Sequence, residues 1–243
     1  MSFRTFFFLF CIPHTCSHTL TNRRHHGSTD PLILVGVCVH HGIPAEEAMA
    51  KLDDMKQAMI DYFLTHKERA GTGLEVLPGV VDLLTRLQRD HGDEICTCLV
   101  TGNLEPIAWG KMEALGIKYL FTTTNTSSRS CFGGFGSDYC SGNGDGMGWR
   151  DRAEFIKIAA QRCEQGCGPI GERDGRGSRD HFHVGDAPMD VRAAKAAGAH
   201  GIGVLTGIYT DAQLREASDE ATLLRGLGDV EEVFKVLGIS SAS

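Results

Sequence analysis

The sequence predicts an α/β protein, a parallel sheet with helices on both faces, preceded by a small helical unit. Three observations carry that expectation. Residues 75–243 alternate short apolar runs with amphipathic ones, the order that threads parallel strands through helical crossovers. Residues 27–74 hold helical stretches with no strand between them. Residues 181–207 read as strand, tight turn, helix and second strand in one compact unit.

Residues 1–26 contain no Asp or Glu, include Arg4, Arg23 and Arg24, and carry an apolar run over 6–12. Two readings fit this segment: a weak transit or signal peptide, and a first β-strand at 5–11. Pro31 follows three capping residues, Ser28, Thr29 and Asp30, and opens a mostly apolar helix over 32–40. A second helix over 45–64 places Ala48, Leu52, Met55, Met59, Tyr62 and Phe63 near a 3.6-residue period. A polar link at 68–73 then leads to the sheet-forming part.

Leu77-Pro78-Gly79 opens a helix at 80–89, and a strand at 95–100 stops at Thr101-Gly102-Asn103. Pro106 begins a helix that runs over 107–115 and ends at Gly116, and 118–122 reads as a short strand. Residues 123–148 are loop by composition, and their glycines lack the spacing of a nucleotide-binding loop. Asp151-Arg152-Ala153-Glu154 resembles a capping box opening a helix at 155–163. A second Gly-rich insertion, 166–180, precedes the strand at 182–184. Pro188 suits the first helical position, Gly198 ends an Ala-rich helix, and 202–205 is again strand-like. Helices at 211–217 and 230–237 complete the chain.

The chain has 243 residues, enough for one large domain or a core with a small second one. Its 42% apolar and 23% charged content is that of a globular protein. A net charge of −7 and the lack of a basic stripe argue against a nucleic-acid partner. No apolar run reaches the length of a membrane span, so no membrane partner is expected. Cysteines number nine, and several fall inside expected strands and helices, as buried thiols do in a reducing compartment. The expected location is cytoplasmic, or an organelle if the N-terminus is a targeting segment. Cys96-x-Cys98 and Cys163-x₃-Cys167 lack the paired spacing of a zinc site, so thiolate metal binding is not expected.

The turn at 185–190 leaves Asp186 at the carboxyl end of a strand and Asp190 in the first turn of the next helix. In open α/β sheets ligands bind at that edge, and paired carboxylates are hard oxygen ligands suited to Mg²⁺. A helix-dipole role for Asp190 is the plainer alternative. At the end of another strand, the Thr101 hydroxyl and the N–H groups of Gly102 and Asn103 suit a phosphate, or Thr101 simply caps. Arg152 is a cation where a helix dipole disfavours one, either solvated or a charge partner for phosphate and carboxylates.

Taken together, Thr101, Arg152, Asp186 and Asp190 follow successive strand–helix units. Here the chain resembles the haloacid dehalogenase-like hydrolase superfamily, in particular its phosphoglycolate-phosphatase-like members. Val100-Thr101-Gly102-Asn103-Leu104 resembles the second motif, Arg152 the basic third, and Gly185-Asp186-Ala187-Pro188-Met189-Asp190 the acidic fourth. Leu77-Pro78-Gly79-Val80 resembles the return from cap to core, and Gly27-Ser28-Thr29-Asp30 a cap segment. The resemblance implies a Rossmann-like core with a truncated helical cap at 27–74, and a Mg²⁺-dependent phosphatase acting on a small phosphorylated substrate. In such enzymes an Asp attacks phosphorus and a second Asp two residues on transfers protons. Asp186 and Asp190 would hold the metal, and Thr101, Gly102, Asn103 and Arg152 the phosphate, with Thr101 and Arg152 also serving catalysis.

The chain departs from the family at its first motif. Asp-x-Asp-x-Thr is absent, and the first acidic residue is Asp30. The nearest local match, Leu9-Phe10-Cys11-Ile12-Pro13-His14-Thr15, puts Cys11 at the nucleophile position and Pro13 at that of the acid and base. This points to a replaced or truncated N-terminus. It also leaves a second expectation open: an inactive relative that keeps a metal or phosphate site.

Overall fold

The computed structural model describes residues 4–8 (backbone only), 28–92, 94–121, 132–142, 148–166 and 180–240. It is an α/β fold with a six-stranded parallel sheet in the order β3-β2-β1-β4-β5-β6. The strands are β1 (Arg4–Phe8), β2 (Ile95–Thr101), β3 (Gly133–Phe135), β4 (Asp180–Gly185), β5 (His200–Val204) and β6 (Thr222–Leu224). Chain direction across the sheet reverses between β1 and β4. That is the topological switch point, where such sheets open a crevice at their carboxyl edge. β1 pairs with β2 on one side and β4 on the other, with Phe8 beside both Leu99 and Val184.

β2 is buried along its whole length, as a strand covered on both faces must be. Alternation then sorts its side chains. Ile95 and Leu99 join Phe182, Val184, Ile202 and Val204 under α4 (Val80–His91), α5 (Glu105–Ala114) and α9 (Val230–Leu237). Cys96, Cys98 and Val100 face the other way, onto α6 (Gly148–Gly166) and α7 (Pro188–Ala197). α8 (Asp211–Ala217) follows β5, and its expected bounds are those observed.

Before the sheet lie α1 (Asp30–His40), α2 (Ala45–Ala50) and α3 (Leu52–Thr65), packed through Val35, Ala48 and Leu52. The single helix expected over 45–64 is therefore two. They meet at Lys51, whose N–H turns back to the Ala48 carbonyl. No described helix is long and apolar enough to cross a membrane.

Three local expectations need correction. The apolar stretch from Lys118 forms a 3₁₀ turn, Lys118–Phe121, with the Leu120 N–H bonded to the Ile117 carbonyl. It buries Leu120 and Phe121 by following the end of α5, and Thr97 Oγ1 donates to the Leu120 carbonyl at 3.0 Å. The neighbouring strand comes instead from the Gly-rich segment taken as loop. A Cβ on Gly134 would overlap the Phe155 backbone, so only glycine lets α6 lie this close to β3. Gly134→Ala is expected to cost about 2–3 kcal/mol, read as a lower urea midpoint. Finally, α6 starts at Gly148, so Asp151 lies inside it and accepts from the Ser141 N–H at 3.1 Å rather than capping the helix.

Candidate functional site

The strand-to-helix turn after β4 is built from its own sequence. Pro188 takes the first helical position of α7, and Asp190, two residues on, folds its carboxylate back to accept from the Ala187 N–H at 3.0 Å. The dipole role open to Asp190 is thus partly used, but Oδ2 alone serves it. Oδ1 lies 3.2 Å from Arg152 Nε, as an ion pair without hydrogen-bond alignment. Asp186, at 8% exposure, sits with its carboxylate against Gly207 in the loop after β5.

Arg152 is 4% exposed and Asp190 1%, so the solvated-arginine alternative does not hold. Asp190 is thus paired with a buried cation, and the Asp186 carboxylate lies near enough to act on it. Burial pushes the Asp190 carboxyl up, opposed by Arg152 and reinforced by Asp186, to about 6. His183, on β4 one pleat below, is fully buried, and neither ring nitrogen has a hydrogen-bond partner among the described residues. Burial, and then the charge on Arg152, lower it to about 3, so it stays neutral beside the guanidinium. Its strand position carries no motif, and alternation alone marks it as inward-facing.

The Thr101 loop lies across the crevice. Thr101 is two residues past Leu99 and Asp186 two past Val184, and both of those pair with Phe8. The two ends therefore stand level at the carboxyl edge, two strand spacings or roughly 10 Å apart. Cys11 and Pro13, beyond β1, lie outside the described residues.

This loop is also used in ways the sequence did not suggest. Thr101 Oγ1 accepts from the Asn103 N–H at 3.2 Å, a local turn. Gly102 makes room for the start of α1 rather than for a ligand alone. A Cβ there would press on Thr29 and the Ser28 carbonyl, and its own carbonyl accepts from the Asp30 N–H at 2.8 Å. The Asn103 side chain donates to the Asp30 carboxylate at 3.1 and 3.2 Å and accepts from Lys111 Nζ at 2.9 Å. Asp30 also accepts from the Leu104 N–H at 3.0 Å. Burial raises the Asp30 carboxyl and lowers the Lys111 amine, each opposed by the other's charge. The Asn103 N–H is thus turned onto Thr101 Oγ1, which keeps its own proton to donate, while the Asn103 side-chain amide clamps α1 to the core.

The hard-oxygen pair with one neighbouring cation fits a divalent metal. Asp186 and Asp190 carry up to two negative charges against one on Arg152, and Asp190 Oδ1 has no aligned hydrogen-bond donor among the described residues.

Residues 152–230 match the HAD-hydrolase-like family. No curated protein matches the sequence. Among solved structures, a hydrolase from Pseudomonas syringae is 22% identical over 89% of this chain and 82% of its own, with a TM-score of 0.52. A haloacid dehalogenase-like family protein from Streptococcus pneumoniae is 13% identical over 97% and 99%, with a TM-score of 0.48. A protein described as a predicted phosphatase from Clostridium acetobutylicum is 15% identical over 97% and 99%, with a TM-score of 0.49. The segment that carries Arg152, Asp186 and Asp190 thus matches the HAD-hydrolase-like family, and the chain around it has a Rossmann-like α/β fold.

Proposed function

We propose that the chain is a Mg²⁺-dependent phosphatase of a small phosphate ester, phosphoglycolate-phosphatase-like in its motifs. The observation that carries this reading is the burial of Asp186, Asp190 and Arg152 together at the carboxyl edge of β4, beside the switch point. Asp186 and Asp190 would hold the ion, which when bound withdraws charge from a phosphoryl oxygen. Arg152 sets the charge of the carboxylate pair, and its buried guanidinium holds Asp190 in place. The Thr101 hydroxyl, whose oxygen the Asn103 N–H holds in place, would donate to a phosphoryl oxygen across the crevice. With a net charge of −7, the partner is a small molecule rather than a nucleic acid.

One sequence observation favours a second reading. The Asp-x-Asp-x-Thr motif is absent, and in this reading the chain holds metal and phosphate without turning a substrate over. Hydrolysis of p-nitrophenyl phosphate with and without Mg²⁺, beside Asp186→Asn, separates the two. Mg²⁺-dependent turnover that disappears in the variant supports the phosphatase. No turnover, with Mg²⁺ raising the Tm of the unmutated chain but not of Asp186→Asn, supports the inactive relative. Absence of both effects overturns both readings.

A further inference from the structure

We propose that Cys96, Cys98 and Cys163 form a buried binding site for a trivalent thiophilic ion of the arsenite class. The proposal departs from the sequence expectation against thiolate metal binding, which rested on spacing along the chain. Cys96 and Cys98 are two apart on β2 and so point to one face of the sheet. α6 lays Cys163 over that face, and the three sulfurs lie within 4.8 Å of one another. The Cys96 and Cys98 sulfurs are 3.7 Å apart. Three sulfurs around one ion at a metal–sulfur length of about 2.3 Å stand about 4 Å from each other, so the observed cluster needs little movement to close.

The surroundings select the charge of the ion. The three cysteines are at most 2% exposed, among Val100, Phe155, Ile156 and Ala159. Three thiolates with a monovalent ion leave two negative charges in this apolar packing, and with a divalent ion one. A trivalent ion leaves none, and an uncompensated buried charge is what such a site disfavours most. Zinc also takes four ligands in closed protein sites, and the donor group among the described residues has three. A three-coordinate, soft, trivalent centre satisfies both conditions.

The binding step balances without an oxidant. Arsenous acid meets three thiols, three As–O bonds break, and three As–S bonds form. Each thiol proton leaves with a hydroxyl as water, and arsenic stays trivalent. The product ties β2 to α6, and so favours the folded chain. The site lies on the same strand as Thr101 but roughly 10–16 Å from it along β2, so it is separate from the crevice.

The test uses the full chain, kept reduced with a phosphine and incubated with sodium arsenite. Intact mass under native conditions is expected to rise by one arsenic less three hydrogens, with a higher Tm. After unfolding and thiol alkylation, peptide mapping should show Cys96, Cys98 and Cys163 protected and the other cysteines labelled. This mapping needs no variant. Cys163→Ala should abolish the protection of Cys96 and Cys98, while Cys38→Ala and Cys140→Ala should leave that of all three intact. Protection of a different set of cysteines, uptake that survives in a folded Cys163→Ala, or no arsenic on the native chain would each overturn the proposal.

Discussion

Arg152→Met is expected to destabilise the metal-free chain by about 3–5 kcal/mol at neutral pH, because it leaves Asp190 buried without its cation and beside the Asp186 carboxylate. The size comes from the uncompensated charge, not from the lost contact alone. The loss should also depend on pH in a defined direction. Arg152 now lowers the Asp190 carboxyl towards about 6, against burial and Asp186. Without it the folded-state value rises further above that of the unfolded chain. The folded form then holds a proton the unfolded form has released, so stability falls as pH rises through that window. Urea denaturation at pH 5 and pH 8 should show a much larger deficit at pH 8. Mg²⁺ should recover part of that deficit, since a divalent ion supplies the missing positive charge. Equal deficits at both pH values would show that Arg152 acts by packing only.

Asp30→Ala should have the second large effect, a loss of about 2–4 kcal/mol. The carboxylate accepts from the Leu104 N–H and from Asn103 Nδ2, and it faces the charge on Lys111. Removing it strands two donors and a largely enclosed amine. Asp30→Asn keeps an acceptor for the Leu104 N–H and should cost less. The two variants share a pH signature. Burial raises the Asp30 carboxyl in the folded chain, so its contribution to stability is fully present below pH 3.8 and declines as pH rises through the higher folded value. That acid-side slope should flatten in Asp30→Asn. Because Asp30 joins α1 to the Thr101 loop, its loss should also loosen that junction, read as faster amide exchange at residues 102–104.

Local grammar made much of the fold readable. The β4–α7 unit could be read because every signal lies within 20 residues: a short apolar strand, a turn with Gly185, Pro188 at the helix start and Gly198 after its end. Asp186 and Asp190 were placed at a strand end for the same reason. β3 was hidden because glycines that signal a loop here serve a close approach to α6, a demand imposed by the partner helix and absent from the segment itself. The strand expected at 118–122 was apolar enough, but the end of α5 and the Thr97 hydroxyl claim it as a turn.

The tertiary contacts were less readable. The Asp30–Asn103 bond joins residues 73 apart, and a polar pair of that kind leaves no period in the chain. Cys163 meets Cys96 and Cys98 only because α6 crosses β2. Asn103 was read as a phosphate-binding candidate, and its side chain turns out to clamp the start of α1.

The central claim is that Asp186 and Asp190 form a divalent-cation site at the sheet edge. Titration calorimetry of Mg²⁺ into the unmutated chain and into Asp186→Asn at pH 7.5 tests it most directly, with no dependence on turnover. One saturable site per chain, weakened at least about tenfold in the variant, is the predicted result. Indistinguishable heats from the two chains, or no saturable binding to the unmutated one, would contradict the claim.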